Sequence, residues 1–164
     1  PNAFAGSPPA LHTLVEQLGS RLCSSPLVHT LLPMTDLSAL MPSGHTLLTR
    51  ILITQLKSVH HAGTRESVQI LLRARCDPDI PEAVEKGQQQ SPLHIAATLR
   101  DDGLVEDLVE ARADPCRVDG NRRSPLHIAV ACAPTGATAN FNVEEILIQA
   151  RADVSQQDRL GLTP

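Results

Sequence analysis

The chain has 164 residues, of which 41% are hydrophobic and 20% charged, with 13 Pro, 4 Cys, 2 Phe, no Trp or Tyr and a net charge of −4. That is enough chain to bury a core as one domain or two small ones, and its hydrophobicity and low net charge exclude intrinsic disorder. Too few aromatics remain for base-stacking platforms or aromatic cages, the basic excess that marks nucleic-acid binding is missing, and no apolar run approaches the ~20 residues of a membrane span.

The predicted elements begin with an amphipathic helix carrying Leu11, Leu14, Val15 and Leu18, and a second carrying Leu27, Val28, Leu31 and Leu32 between Pro26 and Pro33. Gly44-His45-Thr46-Leu47-Leu48 opens a third. A fourth ends in Leu71-Leu72-Arg73-Ala74-Arg75-Cys76-Asp77-Pro78, followed by a polar loop at 81–90. Ser91 before Pro92, and Ser124 before Pro125, are N-cap residues followed by a proline suited to a first helical turn. Leu93, Ala96 and Ala97, or Leu126, Ala129 and Val130, give those helices short apolar faces of small residues. Leu104, Val105, Leu108 and Val109 follow at helical spacing. Asn142 is expected to cap the final helix, with Glu144 and Glu145 in its first turn where the dipole favours them.

Two motifs repeat in fixed alternation. Ser91-Pro92-Leu93-His94-Ile95-Ala96-Ala97 returns 33 residues later as Ser124-Pro125-Leu126-His127-Ile128-Ala129-Val130, and Leu162-Thr163-Pro164 starts a third copy. Between them, Leu71 to Pro78 returns as Leu108-Val109-Glu110-Ala111-Arg112-Ala113-Asp114-Pro115 and as Leu147-Ile148-Gln149-Ala150-Arg151-Ala152-Asp153-Val154. A fixed period of this size is the mark of a stacked repeat array. The motifs closely resemble the ankyrin repeat, DxxGxTPLHxAA followed by LLxxGADVN, densely over 64–164 and thinly before. Leu93 to Asp114 is 21 residues, the family spacing; Leu126 to Asp153 is 27 and Leu48 to Asp77 is 29, so insertions fall between paired helices at 134–142 and 54–63.

The resemblance implies an all-α solenoid of helix-turn-helix units joined by short β-hairpin fingers. The units span 44–80, 81–117, 118–156 and a truncated 157–164, after a degenerate cap or divergent repeat at 1–43. Arg75, Arg112 and Arg151 replace the glycine that usually ends the second helix, at about 1 kcal/mol each if that position is left-handed. Arg122 holds the usual finger glycine, with Gly120 two places earlier, which leaves the shape of that finger open.

Catalytic and metal motifs are missing: the sequence holds no GxxxxGK[ST], GxGxxG, GxSxG or HExxH. His94 and His127 belong to the repeat and are implied to hydrogen-bond within and between hairpins. His60-His61 has no companions at zinc spacing. Cys23, Cys76, Cys116 and Cys132 form no CxxC and are too sparse for a disulfide framework, which points to a reducing, cytoplasmic compartment with the small thiols buried. The acidic excess lies wholly in 83–164, as ordinary surface patterning, and Asp101-Asp102 and Glu144-Glu145 read as solvated caps. The chain starts at Pro1 rather than Met and stops within a motif, which reads as a fragment. No signal peptide is visible, and organelle targeting stays open.

The expected activity is therefore non-catalytic protein–protein recognition without cofactor or metal, by a scaffold or adaptor segment. The alternatives are a regulatory segment of an enzyme or channel, or a structural subunit of a large complex. The partner is another protein, with no nucleic acid and no membrane insertion. The resemblance places the candidate contact residues on the fingers and first helices: Glu85, Lys86 and Gln89; Asp119, Asn121, Arg122 and Arg123; Asp158 and Arg159; and Leu99 and Arg100 after Thr98. Arg122 and Arg123 lead, because arginine is a favoured interface anchor. Phe141 is either an exposed anchor or, with Ile146, a hydrophobic staple, the reading its spacing favours.

Overall fold

A computed structural model describes residues 48–49, 51–53, 64–74, 76–80, 89–134 and 140–164. The chain divides into two compact units, Pro1–Cys76 and Asp77–Pro164. The expected elements of 1–43, the insertion at 54–63, His60-His61 and Arg75 lie outside the described residues.

In the first unit, residues 48–49 and 51–53 are helical. Leu48, Ile51 and Leu52 are buried there, together with Thr49. Helix α1, Thr64–Arg73, sets Glu66 in its first turn and buries Val68 and Leu71, one helical turn apart. The amide of Cys76 closes its end on the Leu71 carbonyl at 3.1 Å.

Among its described residues the second unit holds four helices: α2 (Pro92–Leu99), α3 (Asp102–Glu110), α4 (Pro125–Ala131) and α5 (Asn142–Gln149). Helix α2 packs on α3 and α4, and α5 packs on α3 and α4, so two helical hairpins stand side by side. The core between them is Leu93, Ile95, Ala96 and Ala97 of α2, Leu104, Val105 and Leu108 of α3, Leu126, Ile128 and Ala129 of α4, and Val143 and Leu147 of α5. The alanines let the first helices approach closely, and Leu93 and Leu126 of the first helices are buried together with Leu104, Leu108 and Leu147 of the second. Val130 departs from this pattern: it stands at the position of buried Ala97 yet is 47% exposed.

Serine, proline and histidine act together at the start of α2 and α4. Ser91 donates its backbone N–H to Nδ1 of His94 at 3.2 Å, and Ser91 Oγ lies 2.8 Å from the same nitrogen. Ser124 and His127 repeat the arrangement at 3.0 and 2.8 Å. The other ring nitrogen reaches into the next turn of chain: Nε2 of His94 lies 2.9 Å from the Arg123 carbonyl, and that of His127 lies 3.1 Å from the Leu162 carbonyl. A carbonyl only accepts, so Nε2 carries the proton and Nδ1 receives the serine N–H. Each histidine therefore ties its own helix start to the following finger.

The ends of α3 and α5 are built alike. Ala113 N–H reaches the Leu108 carbonyl and Arg112 N–H reaches Val109, while Ala152 reaches Leu147 and Arg151 reaches Ile148, all between 2.9 and 3.0 Å. This is a Schellman closure, which requires a left-handed residue at the first position past the cap. Arg112 and Arg151 supply it, both at φ 68°. The aspartate that follows each repeat of this motif then folds back on the chain. Asp77, Asp114 and Asp153 accept the N–H of Asp79, Cys116 and Ser155, two residues on, at 2.8 to 2.9 Å.

Four local expectations are corrected. The cap of α5 is Phe141 rather than Asn142, and the carboxamide of Asn140 takes the Asn142 N–H at 2.8 Å. Phe141, at the cap and 56% exposed, is one place too late to form the staple with Ile146. Glu144 is 7% exposed rather than solvated, because it is drawn onto Arg100. Cys132 is the exposed cap of α4, not a buried thiol, while Cys76 is buried as expected. Among the described residues no β-strand forms, and the fingers at 119–123 and 158–162 are tight turns rather than paired strands.

Candidate partner-binding surface

In each hairpin the second helix runs antiparallel to the first, so the ends of α3 and α5 lie at the same end as the starts of α2 and α4. The fingers 119–123 and 158–162 project there. Asp119 builds the first finger. Its Oδ1 accepts the N–H of Asn121 at 2.8 Å and of Arg123 at 2.9 Å. Its Oδ2 accepts Nε and Nη2 of Arg123 at 3.0 and 2.8 Å. Asp119 N–H returns to the Arg123 carbonyl at 2.9 Å, closing the turn. Burial raises the Asp119 carboxyl, but the backbone and side-chain hydrogen bonds from Arg123 outweigh it and leave the group below its ordinary 3.8.

The second finger repeats the frame on Asp158. Its Oδ1 accepts the N–H of Leu160 at 2.8 Å and of Leu162 at 2.9 Å. Asp158 N–H meets the Leu162 carbonyl at 3.0 Å. Arg122 and Gly161 are equivalent and left-handed, at φ 61° and 77°. The fingers are joined by a bond from the Arg159 N–H to the Asn121 carbonyl at 3.0 Å. The first finger is therefore shaped by the Asp119 carboxylate, and the glycine expected at position 122 is not needed.

Several candidates named from the sequence are already occupied. Asp119 is 4% exposed and committed to Arg123, so both residues serve the finger's shape. Arg100 points into the next hairpin rather than out to a partner. Its Nη1 donates to Glu144 Oε1 at 2.7 Å and to the Ala129 carbonyl at 2.8 Å, and its Nη2 donates to Glu144 Oε2 at 3.0 Å and to the Asn140 carbonyl. Arg100 itself is left-handed, at φ 53°, which aims the side chain across. Burial raises the Glu144 carboxyl, yet the hydrogen bond and charge of Arg100 bring it below 4.5. Thr98 donates to the His94 carbonyl at 2.9 Å, and Leu99 is half-buried beside it.

Other candidates are open. Arg122, Arg159, Gln89 and Phe141 are exposed, while Asn121 and Asp158 are half-buried. Glu85 and Lys86 lie outside the described residues. Arg112 and Arg151, read from the sequence only as replacements for glycine, are also exposed. Arg117 is half-buried, near enough to His94 for its charge to be felt there. Arg151 is fixed against the preceding loop by a contact from Cys116 Sγ to its carbonyl at 3.5 Å. Burial lowers the His94 ring below its ordinary 6.5, the bond to the Arg123 carbonyl and the charge of Asp119 oppose this, and the charges of Arg123 and Arg117 add to it. The ring is thereby held neutral, as its two hydrogen bonds require.

Two shallow polar depressions flank α3 and α5, lined by Arg100, Asp102, Pro134, Asn140, Asn142 and Val143, and by Asp102, Glu106, Asn142, Glu145, Ile146 and Gln149. No described helix is long and apolar enough to cross a membrane.

Residues 56–158 match the family described as Ankyrin repeats (3 copies). The chain is 31% identical over 111 residues to Neurogenic locus notch homolog protein 1 of Danio rerio, a match covering 68% of this chain and 4% of that protein. It is 30% identical over 107 residues to Rabankyrin-5 of Mus musculus, covering 57% of this chain and 8% of that protein. The human Neurogenic locus notch homolog protein 1 is 31% identical over 111 residues. The chain thus spans only 4% to 8% of the length of these curated relatives. In them the array is one segment of a larger protein, and ankyrin repeats are protein–protein interaction modules. With stacked helical hairpins, a Ser-Pro-Leu-His start tied to the next finger and a matching profile over most of its length, the chain belongs to the ankyrin-repeat family.

Proposed function

We propose that this chain is a non-catalytic docking segment, a scaffold or adaptor within a larger protein or assembly, and that it meets its protein partner with the finger end of the array. The observation that carries this reading is the contrast among the arginines. Arg100 and Arg123 are locked into ion pairs, whereas Arg122 and Arg159 stand exposed on neighbouring fingers held together by the Arg159–Asn121 bond. A rigid frame that presents unpaired arginines is suited to recognition, because little side-chain order has to be created apart from the anchors themselves. The units 44–80, 81–117, 118–156 and 157–164 are the proposed repeats. The proposed compartment is intracellular, resting on the cysteine pattern and the unbridged Cys76, Cys116 and Cys132.

The test is a pull-down from native extract with the chain as bait beside an Arg122→Glu, Arg159→Glu variant, with the captured proteins identified by mass spectrometry. Arg123 is left intact because its replacement would dismantle the Asp119 turn. A protein captured by the wild type and lost from the variant supports docking through the fingers. Equal capture by both moves the interface elsewhere, and a captured substrate turned over by the chain would overturn the non-catalytic reading.

A further inference from the structure

We draw no further inference here: the strongest candidate, the exposed apolar surface patch at the end of the second unit, made by Val130 of α4, Ile148 of α5 and Val154, Leu160 and Leu162 around the second finger, carries nothing because nothing in the structure shows what covers it.

Discussion

The two fingers of the second unit reach one backbone shape from different residues. Both close on an aspartate that accepts two amide hydrogens ahead of it, Asp119 in the first and Asp158 in the second. The first then adds the Arg123 fork to its buried carboxylate and places Arg122 at the left-handed position; the second has Leu162 and Gly161 there. The shape of a finger is therefore set by its aspartate, and the identity of its left-handed residue is free to serve another purpose.

The largest effect that would break this comparison is removal of the two aspartates. Asp119→Ala leaves two amides and a part-buried guanidinium without their acceptor, at an expected cost of about 3 kcal/mol, whereas Asp158→Ala, half-buried and without an arginine partner, costs about 1 kcal/mol. Chemical denaturation of both variants measures the gap, and equal losses would show that the Arg123 fork adds nothing.

Next in size is the link across hairpins. Arg100→Met strands Glu144, whose side chain is 9% exposed, and leaves the Ala129 and Asn140 carbonyls without their donor. The expected loss is about 2 kcal/mol. A double-mutant cycle with Glu144→Gln isolates the pair, and additive losses would mean that the two side chains are not coupled.

Stability should also fall in acid, in two steps. The His94 ring is held below its ordinary 6.5, so between its folded value and 6.5 the unfolded chain binds more protons and stability drops as pH falls. Asp119 and Glu144 lie below their ordinary 3.8 and 4.5, so their contribution is present above those values and fades as pH falls through the folded ones. Denaturation midpoints at about pH 7 and about pH 5.5 report the histidine step. His94→Gln should flatten that interval, and an unchanged slope would assign it to other groups.

The smallest effect sharpens the comparison most. Exchanging the left-handed residues, Arg122→Gly in one finger and Gly161→Ala in the other, should raise and lower stability by up to about 1 kcal/mol respectively. A Cβ built on Gly161 meets nothing within 4 Å, so its cost is backbone strain alone. Thermal melts that move in the same direction for both would show that the two positions are not equivalent.

Much of this architecture is legible in the sequence. The alternation of Ser-Pro-Leu-His with Ala-Arg-x-Asp specifies helix starts, helix ends and the order in which units stack, because capping and left-handed closure act over a few residues. The substitution of arginine for glycine at 112 and 151 is visible there too, and both take up the left-handed geometry that the repeat requires. The charge of each residue is equally plain, but its direction is not. Arg100, Arg122 and Arg123 look alike along the chain, yet one bridges to Glu144 44 positions away, one clamps Asp119 and one is exposed. Which carboxylate a guanidinium meets depends on how hairpins are set side by side. Local chemistry thus determined the repeat and its fingers, and tertiary packing decided which arginines were consumed in building them and which were left exposed.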